Sequence, residues 1–265
     1  MIANYHTHTP RCKHAVGSER EYVEKAIELG FAELGFADHA PMPLPEGLHP
    51  TNYITIGEMR MALEETDGYV NTLLDLRKEY EHDIKIHIGF EVEYYSACFD
   101  NFLRFISDYP IDYLIQGQHF GEVEGIPLAY YGAQTSSEET LKSYVDQVIK
   151  GIESDKITYV AHPDLAAYYG DIEVYERHMA RLIRSANAHN VPLEMNLYGL
   201  SELRRYPNIA FWQIAANIGC DVVLGSDAHT PNHLLNKTAL KYAQSLIDSS
   251  PKLNLLEKIE FKPVR

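Results

Sequence analysis

The sequence predicts a parallel α/β fold of barrel type, and three observations carry that prediction. Strand-like runs and amphipathic helical stretches alternate seven times along the 265 residues, and such alternation builds a parallel sheet flanked by helices. No linker, charge block or low-complexity segment divides the units, so residues 1–265 read as a single domain of ordinary barrel size. Histidine, aspartate and glutamate recur at the C-terminal ends of the strands, where parallel barrels build their sites. The competing closure is an open doubly wound sheet. No GxGxxG fingerprint follows the first strand, which counts against it.

The elements follow in order. Ile2–His8 is the first strand. Ser18–Leu29 is a helix, with Ser18 as N-cap, Glu21 completing a capping box and Gly30 as the stop. Glu33–Asp38 is the second strand, followed by a Pro-rich loop (APMPLPEGLHP) and a long helix within Ile54–Tyr80. Lys85–Tyr94 is the third strand, with a helix at Cys98–Ser107. Tyr113–Phe120 is the fourth, leading through a Gly- and Tyr-bearing loop to a helix near Ser137–Ile152. Ile157–Pro163 is the fifth, with a helix across Ile172–His189. Pro192–Leu197 is the sixth, with a helix across Ile209–Ile218. Asp221–Ser226 is the seventh, with a helix across His233–Ile247, and the segment after Ser249 packs on the barrel base or against another subunit.

Composition narrows the function classes. Lys and Arg total 23 against 38 Asp and Glu, a formal charge of −15. That balance argues against duplex nucleic acid and against an anionic membrane surface, both of which need a basic face. The 3 cysteines, Cys12, Cys98 and Cys220, contain no CxxC pair and make neither a disulfide framework nor a zinc ribbon. A reducing, cytoplasmic compartment is expected. No apolar run approaches a membrane span, and the N-terminus MIANYHTH lacks the basic and apolar regions of a signal peptide. What stands out is the 13 histidines.

Their positions are informative. The first strand ends in His6-Thr7-His8, the second in Asp38-His39, the third in Glu91-Val92-Glu93 and the fourth in Gln118-His119. The fifth ends in His162-Pro163-Asp164, the sixth near Glu194 and Asn196, and the seventh in Asp227-Ala228-His229. Period-two alternation turns His6 and His8 to one face, so both can enter one coordination sphere, and Asp227-x-His229 repeats that geometry. Neutral imidazole and carboxylate are ligands for zinc, manganese and iron. These groups exceed the coordination of one ion and suit a cluster of two or three, bridged by carboxylate. An isolated HxH or DxH would equally suit surface residues; the weight lies in their conjunction. His49, His82, His178, His189 and His233 read as loop, turn or helix residues, and His87 as a hydrogen-bonded core histidine below the site. Cys12, close to His14, reads as a small buried or loop cysteine. Most of the 19 tyrosines read as packing, with those in loops after strands available to line a pocket.

HTH at 6–8, His14, GFADH at 35–39, GFEVEY at 89–94, GQHF at 117–120, AHPD at 161–164 and GSDAH at 225–229 resemble the PHP (polymerase and histidinol phosphatase) family, in particular its histidinol-phosphatase branch. The resemblance implies a distorted (β/α)7 TIM-like barrel with three divalent ions: zinc, manganese or iron. It places the first ion on His6, His8, Glu91 and Asp227, the second on Glu91, His119 and His162, and the third on His14, His39 and His229. Asp38, Glu93 and Asp164 would orient ligating imidazoles. The implied reaction is phosphomonoester hydrolysis by a metal-activated hydroxide, with Asp227, His229 and Glu91 at the reacting atoms.

One departure bears on the substrate. The branch commonly places basic side chains after strands five and six, yet DLAAYYG (164–170) has none and NLYGLSELRRYP (196–207) delays them to Arg204 and Arg205. Arg11 and Lys13 are further candidates, and Tyr168 and Tyr198 would line the pocket. The leading substrate is L-histidinol phosphate; another metabolite or nucleotide phosphoester is the alternative. A barrel amidohydrolase also begins with HxH, but Glu91 and the His14/His39 pair favour the phosphoesterase, and no strand-end lysine is available as a bridge. A nuclease is weakened by the acidic charge. A non-catalytic barrel would lack ligands, and none is missing.

Overall fold

The strand–helix alternation is present in the computed structural model, which describes residues 1–43, 59–123 and 126–264. In chain order the elements are β1 (Ala3–Asn4), α1 (Glu19–Glu28), β2 (Glu33–His39), α2 (Thr66–Glu79), β3 (Lys85–Val92), α3 (Phe99–Ile106) and β4 (Tyr113–Gln116). There follow β5 (Phe120–Val123), β6 (Ile126–Tyr130), α4 (Glu138–Glu153), β7 (Tyr159–Val160), α5 (Ile172–Ala188) and β8 (Leu193–Asn196). The chain ends with α6 (Leu197–Ser201), α7 (Ile209–Ile218), β9 (Cys220–Gly225), α8 (Lys237–Asp248) and β10 (Leu253–Leu255).

Strands β1, β2, β3, β4, β7, β8, β9 and β10 lie side by side in that order, each neighbouring pair parallel. Beyond β1, Thr7 makes a parallel bridge to Ala228. His8 N–H donates to Ala228 O at 2.9 Å and Ala228 N–H to His6 O at 3.2 Å, so the sheet closes at its C-terminal end. The result is a distorted TIM-like barrel.

Helix starts are set by local chemistry. Ser18 and Glu21 form the expected capping box of α1, and Ser137, Asp171, Asn208 and Asn236 accept from first-turn N–H groups of α4, α5, α7 and α8. Each helix buries one apolar face, as Leu141, Tyr144, Val145 and Val148 do on α4. Inside the ring, Tyr5, Tyr113, Ile115, Tyr159, Ala161 and Val223 form a separate core that fills the barrel below its mouth.

Four expectations need correction, and one helix is placed more narrowly. The first strand is short, because the chain leaves the sheet after Asn4 and returns only at Thr7. The fourth stops at Gln116; Phe120 instead begins an antiparallel hairpin, β5 with β6, where a loop was expected. The last helix opens at Lys237 under the Asn236 cap, and His233 lies in a preceding 3-10 turn. The helix expected within Ile54–Tyr80 begins at Thr66 after a 3-10 turn, while residues 54–58, His49 and most of the Pro-rich loop fall outside the described residues. The segment after Ser249 supplies an eighth parallel strand beside β9, and beyond it Ile259 and Phe261 pack against the inner core.

Candidate metal centre

Strand ends and the loops after them deliver the site to the closed end of the ring. His6 and His8 follow β1, His39 ends β2, Glu91 lies near the end of β3, His119 follows β4, His162 follows β7, and Asp227 and His229 follow β9. His6, His8, Glu91, His162 and Asp227 are buried.

Four atoms converge at the centre. His8 Nε2 lies 3.0 Å from Asp227 Oδ1 and 3.6 Å from Glu91 Oε2; His6 Nε2 lies 3.5 Å and 3.6 Å from the same two oxygens. A tetrahedral ion with ligands at about 2.1 Å keeps them roughly 3.4 Å apart, so these spacings suit a divalent ion without rearrangement. Nε2 of His6, Nε2 of His8 and Oε2 of Glu91 have no hydrogen-bond partner among the described residues, though buried groups of this kind ordinarily have one. The donor set therefore fits an ion. On the other side of the same carboxylate, Glu91 Oε1 lies 2.9 Å from His162 Nε2 and 3.8 Å from His119 Nε2. Ligand atoms of His14, His39 and His229 form a further group within 4.8 Å of one another. His39 stands between groups, with Nδ1 2.9 Å from Glu91 Oε2 and a ligand atom also within 4.8 Å of Glu91 and His119.

Two glycines make room for carboxylates. A Cβ on Gly117 would overlap Glu91 Oε1, and one on Gly225 would overlap Glu194 Oε1. Two residues of the site adopt left-handed backbone, His162 at φ 28 and Asp227 at φ 48, an uncommon conformation for side chains of this kind and one that clusters at functional sites.

The imidazoles are held from behind. His6 Nδ1 lies 2.8 Å from Glu194 Oε1, His8 Nδ1 3.3 Å from Asp38 Oδ1, and His229 Nδ1 2.9 Å from the Asp227 carbonyl. Asp38 thus does what the sequence expected of it. Glu93 accepts from the backbone N–H groups of His119 and Phe120 at 2.9 and 3.0 Å, holding the loop rather than only the ring. Asp164 is a correction: it accepts from Asn208 N–H and from Trp212 Nε1, and among the described residues it orients no imidazole.

Charge is finely divided here. Burial pushes the Asp227 carboxyl up, yet the His6, His8 and His229 imidazoles outweigh it and hold Asp227 well below the carboxylate range. Glu91 is likewise held far down, burial being outweighed by His39, His119 and His6. Burial disfavours a proton on His6, but Glu194, Asp227 and Glu91 raise it to about 10. On His229 burial prevails, with the His8 charge adding to it, and its value falls to about 3. For Cys12, burial raises the thiol while the imidazoles of His14 and His8 more than offset it, leaving it below its ordinary value.

A cleft opens above these groups, lined by His14, His39, Glu91, His119, Asp227 and His229 at its floor. Its walls are Phe120, Tyr130, Tyr198 and Tyr206, with Met59, Arg60 and Arg204. Of the substrate-contacting residues expected from sequence, Arg204 and Tyr198 reach it, the guanidinium standing 5.6 Å over the Tyr198 ring. Three do not. Arg11 pairs with Glu19 and packs over Tyr69; Arg205 lies over Tyr169 at 5.1 Å; Tyr168 stacks with Tyr175. Lys13 pairs with Glu65 at 2.5 Å. Loop direction, which sequence spacing does not encode, separates the two adjacent arginines. Sequence reasoning missed Arg60, which pairs with Glu93 at 2.5 Å, and Tyr206, whereas Tyr130 is one of the loop tyrosines expected to be available to a pocket. The glycines in GQHF and GSDAH were the available signal for the carboxylate cradles.

The PHP domain family matches this chain over residues 4–198. A curated relative from Deinococcus radiodurans named "Probable histidinol-phosphatase" is 25% identical over 241 residues, 88% of this chain and 88% of that protein. The histidinol-phosphatase of Bacillus subtilis is 33% identical over 118 residues, 43% of this chain and 42% of that protein. Among solved structures, histidinol phosphate phosphatase from Lactococcus lactis, complexed with zinc, L-histidinol and phosphate, matches with a TM-score of 0.70 at 20% identity, covering 98% of this chain and 97% of that one.

Proposed function

The chain belongs to the PHP domain family, and we propose that it is a metal-dependent phosphatase that converts L-histidinol phosphate to L-histidinol and phosphate. The observation that carries this reading is the convergence of orphaned, buried ligand atoms from His6, His8 and Glu91 beneath a cleft with Glu91 in its floor and Arg204 in its wall. Names of the curated relatives support the substrate. In this reading the reaction serves histidine biosynthesis in the cytoplasm.

Three ions are proposed: one on His6, His8, Glu91 and Asp227, one on Glu91, His119 and His162, and one on His14, His39 and His229. The nitrogen and oxygen donors suit zinc, and also manganese or iron. When bound, divalent ions supply an acidified water and positive charge for the phosphoryl oxygens. The chain's own groups do the rest. Glu91 spans two positions with separate oxygens. Arg204 binds a phosphoryl oxygen at the mouth, and Phe120, Tyr130, Tyr198 and Tyr206 offer flat faces to the imidazole of the alcohol half. Asp227 Oδ2, held by Asn196 Nδ2 at 3.1 Å, and the imidazole of His229 are unprotonated near neutral pH, and they are the groups at hand to accept the attacking water's proton and return it to the leaving oxygen.

A phosphate-release screen over metabolites, with zinc, manganese and iron each supplied, tests the reading. Histidinol phosphate should respond best, and Asp227→Asn should abolish release without unfolding the protein. Turnover confined to sugar or nucleotide phosphates would replace the substrate and keep the chemistry. Unchanged turnover in the metal-replete Asp227 variant would overturn both.

A further inference from the structure

Glu194 is fully buried beneath the centre without being one of its proposed ligands. Its Oε1 lies 2.8 Å from His6 Nδ1, while Oε2 accepts from the His162 backbone N–H at 3.0 Å. Asn196 Nδ2 donates to Oε2 at 2.9 Å and also to Asp227 Oδ2 at 3.1 Å. One carboxylate on β8 therefore touches a residue of the proposed first site and a residue of the second.

The two contacts do different things. With Nδ1 engaged by Glu194, His6 presents Nε2 to an ion in a defined tautomer and orientation. His162 has no comparable support on its ring, since its buried Nδ1 lacks a hydrogen-bond partner among the described residues. Its position depends on the backbone, which sits in the left-handed region at φ 28 with its N–H held by Glu194. Gly225 leaves the space that the carboxylate occupies. His14, His39 and His229 make no hydrogen bond to Glu194 among the described residues.

We propose that Glu194 is a positioning residue shared by the first and second ion sites, so that its loss weakens these two together and spares the third. This rests on the three-ion reading above. The test is metal binding by the full-length chain: ion content by elemental analysis, and cobalt(II) titration followed by d–d absorption. Glu194→Gln has only one acceptor oxygen to divide between the His6 ring and the His162 amide. It should lose about 10- to 100-fold in affinity for two of three ions, with the third at its wild-type value. Gly225→Ala leaves Glu194 in place but displaces its carboxylate, and should reproduce the same selective loss. Should Glu194→Gln not fold, Asn196→Ala, which removes one donor to the carboxylate, should show a smaller loss confined to the same two ions. Equal weakening of all three ions, or wild-type binding in both the Gln and Gly225 variants, would overturn this shared role. Wild-type protein that takes up a single ion would overturn the three-ion reading instead.

Discussion

Gly117 lies directly against the carboxylate of Glu91, so close that a Cβ would overlap Oε1. The glycine precedes His119 by two residues, and the carboxylate it accommodates faces His6, His8 and His39 on one oxygen and His119 and His162 on the other. Gly117→Ala should displace that carboxylate. Activity should fall by about 10- to 100-fold, the range seen when groups that orient a metal site are disturbed. Far-UV circular dichroism should match wild type, and phosphate release reads the loss.

Arg204 and Arg205 are adjacent in sequence and part company in space. Arg204→Ala should raise KM for a phosphomonoester by about 10- to 100-fold, corresponding to about 1.5–3 kcal/mol for a hydrogen bond to a charged group. Arg205→Ala, whose guanidinium rests on Tyr169 outside the cleft, should leave KM at its wild-type value. Initial-rate kinetics on the two variants separates them, and equal effects would contradict the placement of the phosphoryl group.

Ion binding should release protons. His6 holds its proton up to about 10 and His8 is also raised well above the ordinary imidazole value. Ligation needs neutral imidazole, so each ion taken up near these rings must expel a proton at pH 7, and affinity should rise as pH rises toward 10. Calorimetric titration of the chelator-treated protein in buffers of differing ionisation enthalpy counts those protons. A count of zero would place the ion elsewhere.

The base of the barrel should govern acid stability. Glu33 meets Tyr5 Oη at 2.9 Å, His87 Nε2 at 2.9 Å and Lys258 Nζ at 2.6 Å. Burial pushes its carboxyl up, but the Lys258, His87 and Tyr5 contacts outweigh that and lower it to about 2. A depressed carboxylate stabilises the fold fully above its unfolded value, about 4.3, and loses that contribution as pH falls through about 2. Glu33→Gln should remove this part of the pH dependence of thermal unfolding. Phe261, stacked 4.6 Å from Tyr113, closes the same end; Phe261→Ala should cost about 2–4 kcal/mol, read as a lower Tm.

Much of this was legible in the chain itself. The capping box at Ser18 and Glu21 and the apolar spacing of α4 and α5 are short-range features, so those helices lie within a residue or two of where the sequence puts them. The Phe120–Tyr130 hairpin was not legible, because residues 117–123 (GQHFGEV) hold only two apolar side chains, Phe120 and Val123, too few to show a strand's alternation. β10 was hidden for a related reason: three residues carry too little periodicity to announce a strand that exists by pairing with β9.

The seven strand–helix units and the kinds of side chain that follow their strands were legible in the chain, since caps and periodicity act over a few residues. Tertiary structure alone decided that Thr7 and Ala228 close the ring, that Glu194 reaches both His6 and His162, and that Arg204 enters the cleft while Arg205 leaves it. Each of those depends on the register of strands far apart in the chain or on the course of a loop, and neither is encoded in local spacing.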